Sequence, residues 1–395
     1  MQTDLADFIR DTPQGREADA ILRKCVHCGF CTATCPTYQL LGDELDSPRG
    51  RIYLIKQALE GAPVTARTRL HLDRCLTCRA CESTCPSGVQ YARLADIGRA
   101  VVEERVPRGA WERMRRAALA FALPRTALFA ALLWLGQRFR FLAPRLIPAP
   151  AAPAGTWPGA RHARRMLVLA GCVQPALAPR INAAAARVLD RAGISLIEAP
   201  GAGCCGAVRF HLNDQDAGRD DMRALIDAWW PYVERGEVEA IVVTASGCGS
   251  TVKEYGHLLA NDPAYREKAA RIAAMAKDLS EVVPPAAGAA SGRIAFQSPC
   301  SLQHGQQIRG TVEALLARAG YELVPVADAH LCCGSAGTYS ILQPELSAQL
   351  RTRKLAALED GAPAAIATAN IGCLTHLQGQ ARVPVRHWIE LLDKD

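Results

Sequence analysis

Aromatic side chains make up only 6% of the 395 residues, so any core must be built mainly from Ala, Leu, Val and Ile. An apolar run long enough to span a bilayer, roughly 18–20 residues, is also missing. TALFAALLWLGQ (126–137) stops after twelve uncharged residues, and Pro124-Arg125 interrupts its extension toward Ala117. The opening MQTDLADFIRDTPQGREADA is polar and acidic and has no apolar signal segment. The expected compartment is therefore reducing and cytoplasmic. No Walker motif occurs. Gly201-x-Gly203-x-x-Gly206 matches a dinucleotide fingerprint after an apolar strand, but its turn is filled by Cys204-Cys205. No acidic residue closes a second strand at the required distance either, so no flavin or nicotinamide site is expected on this chain. With 49% hydrophobic and 22% charged residues the chain is globular, which excludes a disordered or fibrous protein. Its length allows two or three cores.

What the chain has in excess is cysteine, 16 in all. In a reducing compartment clustered cysteines are metal ligands more often than disulfides. They fall into two sets of eight, with none between Cys85 and Cys172. That gap holds PRLIPAPAAPAGTWPG (144–159), a Pro/Ala/Gly run suited to a linker.

The first set reads CVHCGFCTATCP (25–36) and CLTCRACESTCP (75–86). Both are C-x2-C-x2-C-x3-C-P, the spacing of bacterial two-cluster ferredoxins, in which three close thiolates wrap one cubane and the fourth reaches the other. The expected assignment is therefore crossed. Cys25, Cys28, Cys31 and Cys85 serve one [4Fe–4S] cluster, and Cys75, Cys78, Cys81 and Cys35 the other. Zinc sites use four ligands in pairs and have no need of this doubled run. Between the motifs, SPRGRIYLIKQALEG (47–61) predicts a helix with Ser47 as N-cap and Pro48 as its first residue, and Arg49 and Arg51 on a solvated face. This insert resembles the α-helical ferredoxin modules of multi-subunit respiratory dehydrogenases.

The second set is an internal repeat. Cys172 to Cys204 and Cys300 to Cys332 each span 32 residues, each ending in Cys-Cys-Gly, and Cys248 and Cys373 each follow an apolar run. Strand-length runs (MLVLAG, ISLIEAP and AIVVTAS; then RIAFQSP, YELVPV and AAIATAN) alternate with helical stretches, which implies parallel sheets with flanking helices. The cysteines then sit just past the strands' carboxyl ends, where open α/β sheets bind ligands. The expected architecture is an α-helical two-cluster ferredoxin domain followed by two tandem α/β cysteine-rich domains. Its boundaries are 1–105, a connector over 106–160, then 161–290 and 291–395.

The repeat resembles the cysteine-rich domains of the heterodisulfide reductase family, where a C-x2-C pair completes five thiolates around an unusual iron–sulfur cluster. Here the last cysteine is replaced by Thr251 in the first copy and His376 in the second. Two readings stay open: further clusters at Cys172, Cys204, Cys205 and Cys248 and at Cys300, Cys332, Cys333 and Cys373 with His376, or thiols that serve docking only.

From Arg105 to Arg165 there are twelve Arg, no Lys and one acid, Glu112. That segment carries +11 in a chain whose net charge is +7. An Arg-flanked helix with Trp134 suits either packing on a domain or partner subunit, or a peripheral contact with the cytoplasmic face of the inner membrane. Nucleic acid is not an expected partner, because the basic residues are not interleaved with aromatics.

The stretches ADAILRKCVHCGFCTATCPTYQLLGDELDSPRGRIYLIKQ (18–57), HLDRCLTCRACESTCPSGVQY (71–91), TASGCGSTVKEYG (244–256), HLCCGSAGTYS (330–340) and TANIGCLTHLQ (368–378) resemble the iron–sulfur subunits of bacterial glycolate oxidase. The resemblance spans nearly the whole chain and is weakest over 106–165. It implies electron transfer through two [4Fe–4S] clusters, from flavin-binding partner subunits carrying FAD that oxidise glycolate to glyoxylate, toward a quinone or another acceptor. Subunits of lactate and glycerol-3-phosphate dehydrogenases share the layout. A heterodisulfide-reductase-like thiol enzyme is the alternative of a different class.

Overall fold

A computed structural model describes residues 1–142, 147–285, 288 and 290–393. The start of the proline-rich linker, 144–146, lies outside the described residues, as does part of the expected boundary near residue 290. The chain forms two compact units, residues 1–116 with 330–354, and residues 117–329 with 355–395.

Among the described residues, the first unit holds helices and no strand. Thr12 caps the helix Pro13–Lys24 by accepting the Gly15 N–H, and Ser47 caps Pro48–Leu59 by accepting the Gly50 N–H at 3.0 Å. In both, proline occupies the first turn, where its missing N–H has no helical partner to lose. Ile21, Leu22, Ile52, Ile55, Leu59, Leu72, Leu94 and Val102 form its core.

The second unit contains two parallel four-stranded sheets built alike. The first has strands β1 (Arg164–Val168), β2 (Ile194–Glu198), β3 (Ile241–Val243) and β4 (Ala276–Asp278), in the order β2-β1-β3-β4. The second repeats that order as β6-β5-β7-β8, with β5 Arg293–Gln297, β6 Glu322–Leu323, β7 Ala365–Thr368 and β8 Val385–His387. The central strands β1 and β3 bury both faces. Met166, Val168, Leu196 and Val242 enter one cluster, while Leu167, Ile241 and Val243 enter another. That is why these strands read as unbroken apolar runs. The sequence pattern predicts three strands per repeat and misses β4 and β8. Each has only three residues with a charged one exposed in the middle, Lys277 or Arg386. The two repeats do not bury separate cores on this side: Ile294, Phe296, Leu316, Ala367 and Trp388 join Val168, Ile181 and Leu189 in one cluster.

His387 is sealed inside this shared core. Its Nε2 faces the Thr244 carbonyl at 2.9 Å and so carries the proton, while Nδ1 accepts the Ile389 N–H. Burial pulls its pKa from 6.5 down to about 4. The folded chain therefore binds fewer protons than the unfolded chain below pH 6.5. Stability present above that pH is lost as pH falls toward 4, by about 2 kcal/mol at pH 5 and about 3 kcal/mol in full. Urea midpoints measured at pH 7 and pH 5 check this. The drop should shrink in His387→Asn, and an equal drop in that variant would refute the assignment.

Candidate iron–sulfur sites

The two C-x2-C-x2-C-x3-C motifs fold into matching loops. His27 and Gly29 in the first, and Thr77 and Arg79 in the second, adopt left-handed backbone at φ 55°, 86°, 53° and 63°. These residues curl each loop so that N–H groups turn toward sulfur, as where Thr77 N–H donates to Cys75 Sγ at 3.4 Å. Arg79, in place of glycine, is held there by its 2.9 Å ion pair with Glu82.

Two cavities open between the loops. Cys35, Cys75, Cys78 and Cys81 line one, together with Thr37, Arg51 and Tyr91. Cys25, Cys28, Cys31 and Cys85 line the other, with Cys81 also on its wall. Each therefore includes the first three thiols of one motif and the fourth of the other, with Cys81 as a fifth in the second cavity. Thiols predominate among the ligating groups of both walls, with His27 also on the second, which fits the four-thiolate set of a [4Fe–4S] cluster. Burial pushes the Cys31 thiol up to about 11 and raises Cys81 well above its usual value. Cys75 behaves differently. Burial raises it too, but the Arg51 and Arg99 guanidiniums outweigh that and hold it below the usual thiol range.

Arg51 corrects the expectation of a solvated face: its side chain is 1% exposed. The signal was present, because Arg51, Ile55, Ala58 and Leu59 fall on one face of the helix Pro48–Leu59, and all four are buried. Arg49, two residues earlier and so on the opposite side of the helix, pairs with Glu44 and is 36% exposed. Asp46, Tyr91, Arg99 and Tyr339 are further residues near the thiols that motif spacing does not reveal. Tyr339, on the 330–354 segment of the same unit, donates its hydroxyl to the Arg74 carbonyl at 3.2 Å.

In the first cysteine-rich repeat the four thiols converge past β1, β2 and β3. Their free thiols are linked by hydrogen bonds, Cys172 with Cys204, Cys204 with Cys205, and Cys205 with Cys248. Held by Cys172 and Cys205, and by the Gly206 N–H at 3.4 Å, the Cys204 thiol is pulled well below its usual range. Its hydrogen bonds push Cys172 and Cys205 up. Thr251, at the position of the missing fifth thiol, donates its hydroxyl to the Gly247 carbonyl at 3.3 Å. In the second repeat, Cys373 and His376 lie one turn apart on the helix Ile371–Gln378, and Cys300 precedes the turn Ser301–Gly305. Cys332-Cys333-Gly334 belongs to the first compact unit. There the Gly334 N–H meets Cys332 Sγ at 3.4 Å, as Gly206 meets Cys204.

The connector forms two helices, Ala110–Ala122 and Thr126–Arg138, broken around Pro124 as expected. Among the described residues no single helix is long and apolar enough to cross a membrane. Its arginines are not uniformly solvated: Arg108 is 3% exposed and pairs with Asp73, Glu103 and Glu112. Trp111, Met114, Phe121, Leu132, Trp134 and Leu135 are exposed instead.

Residues 21–89 match the family profile of a 4Fe-4S dicluster domain, and residues 166–253 and 294–378 each match a cysteine-rich domain. The chain is 55% identical to the glycolate oxidase iron-sulfur subunit of Escherichia coli K12, over all of this chain and 99% of that one. It is 30% identical to the probable glycolate oxidase iron-sulfur subunit of Bacillus subtilis 168, over 90% of this chain and 88% of the relative. A lactate utilization protein A from Geobacillus thermodenitrificans is 30% identical over 54% of this chain and 92% of its own length. Full-length likeness at this level, carried by a dicluster domain and both cysteine-rich repeats, places the chain in the family of glycolate oxidase iron–sulfur subunits.

Proposed function

We propose that this chain relays electrons within a glycolate oxidase, from FAD-bearing partner subunits that convert glycolate to glyoxylate toward a quinone. The observation that carries the reading is the pairing of two cysteine-lined cavities, each including one motif's first three cysteines and the other motif's fourth. On that basis Cys25, Cys28, Cys31 and Cys85 hold one [4Fe–4S] cluster, and Cys75, Cys78, Cys81 and Cys35 the second. When bound, such clusters accept and release single electrons. The protein's part is to fix the thiolates and bury the pair in a helical ferredoxin-type domain over residues 1–105. Connector 106–160 and cysteine-rich domains 161–290 and 291–395 complete the layout. The exposed Trp111, Met114, Phe121 and Trp134 on an Arg-rich segment suit a partner-subunit contact at the cytoplasmic face of the inner membrane.

Anaerobic pull-down of the tagged chain from its own host tests the whole reading. A flavin-containing complex should come down and reduce a quinone analogue with glycolate. A chain that comes down alone and turns over disulfides would replace this reading with the thiol-enzyme one.

A further inference from the structure

Arg51 reaches the wall of one thiol cavity from the interior of the first unit. Its Nε donates to the His71 carbonyl at 2.7 Å, and Nη1 and Nη2 both donate to Thr37 Oγ1 at 3.1 Å. Nη2 pairs with Asp46 Oδ1 at 3.2 Å, and Nη1 stands 3.9 Å from Cys35 Sγ. Thr37 Oγ1 is itself 3.3 Å from the same sulfur.

The local charge does not close on these residues. Asp46 is fully buried and its other oxygen is taken by Arg74 at 2.8 Å. Buried Arg51 thus shares its one carboxylate with Arg74, which is 26% exposed, and with His71, whose Nδ1 lies 3.1 Å from Asp46, so Asp46 is only a partial counter-ion for Arg51. A buried cation whose counter-ion is shared favours further negative charge beside it. The thiolates lining the cavity, only 3.9 Å from Arg51 Nη1 at Cys35, supply further negative charge, and with them any anionic centre they ligate. The other cavity is built differently: Cys28 is exposed, and Arg49, whose guanidinium occupies the space a Cβ on Gly29 would take, is partly solvated and neutralised by Glu44.

Resting on the ligand assignment above, we propose that Arg51 is a charge-compensating residue for the centre held by Cys35, Cys75, Cys78 and Cys81. It raises that centre's reduction potential above that of the centre held by Cys25, Cys28, Cys31 and Cys85. One-electron reduction adds a negative charge to a thiolate-ligated centre, and a fixed cation in low dielectric favours the reduced form over the oxidised one. An electron delivered to the pair then resides mainly beside Arg51. Because a guanidinium stays protonated at all accessible pH values, this bias is permanent.

EPR-monitored redox titration of the intact complex tests it, with Cys78→Ser used to identify which signal belongs to the Arg51 cavity. In Arg51→Gln that signal should persist with full iron. Its midpoint should fall by at least about tenfold in the one-electron equilibrium, about 59 mV, while the other midpoint stays put. Arg51→Lys, which keeps the charge, should recover most of the shift. Asp46→Asn, which removes the countercharge, should move the same midpoint upward.

Unchanged midpoints in iron-replete Arg51→Gln, or a shift confined to the signal that survives in Cys78→Ser, overturns the proposal. If Arg51→Gln fails to assemble, Asp46→Asn decides: a rise sustains the proposal, and no rise ends it. A wild-type complex without two cluster signals would instead remove the ligand assignment on which the proposal stands.

Discussion

Cys25→Ser in the assembled complex is expected to abolish glycolate-dependent quinone reduction while leaving flavin reduction by glycolate intact. Cys25 is buried, lines the cavity shared by Cys28, Cys31 and Cys85, and follows directly on the core helix Pro13–Lys24. A serine hydroxyl there is a poor substitute, because iron–sulfur clusters are held by thiolates and an unionised alcohol supplies no charge. Iron content should fall by about four atoms per chain, one cluster's worth, rather than to zero. The second cavity takes three of its thiols from the other motif and should keep its cluster if Cys35 remains placed. Iron analysis with stopped-flow flavin absorbance separates the possibilities. Quinone reduction at the wild-type rate with half the iron would show that this cavity lies off the electron route. Loss of flavin reduction as well would show that the change had broken the complex instead of the relay.

Much of this arrangement is legible in the sequence because it is local. Each C-x2-C-x2-C-x3-C run, the Ser47-Pro48 helix start and each Cys-Cys-Gly tripeptide concern residues within about ten positions of one another, where chain geometry leaves few choices, and the repeats are legible because such a local pattern recurs. The features that escaped are non-local or carried by single residues. Arg51 reads as solvent-facing by residue type, and only its register with Ile55, Ala58 and Leu59 shows otherwise. Asp46, which makes that burial tolerable, precedes the helix cap, and Arg74 comes from 28 residues further on. Strands β4 and β8 are too short and too charged at the centre to form an apolar run. The shared core of the two sheets, and the grouping of residues 330–354 with the first unit, depend on contacts between residues hundreds of positions apart. No periodicity encodes them.

The glycines of the Cys-Cys-Gly turns give the second large expected effect, and they explain why that tripeptide recurs. Gly206 and Gly334 sit at φ 82° and 90°, the left-handed region, where each N–H turns back to the first cysteine's sulfur. A Cβ on Gly206 would lie 2.5 Å from the Gly218 carbonyl oxygen, and one on Gly334 2.7 Å from that of Ser347. Backbone cannot swing aside as a side chain can. An alanine there meets about 1–2 kcal/mol of left-handed strain and about 1–3 kcal/mol of overpacking, together about 2–5 kcal/mol. That is a large share of the roughly 5–15 kcal/mol that holds a typical domain folded. Gly201 supplies the internal control, since it has φ 80° but nothing within 4 Å of its would-be Cβ. Gly201→Ala should show the conformational cost alone, about 1–2 kcal/mol. Denaturant midpoints of the full chain should therefore rank wild type above Gly201→Ala, with Gly206→Ala and Gly334→Ala clearly lower. If all three alanine variants lose the same amount, the close backbone approach at the cysteine turns is not what demands glycine, and φ alone is.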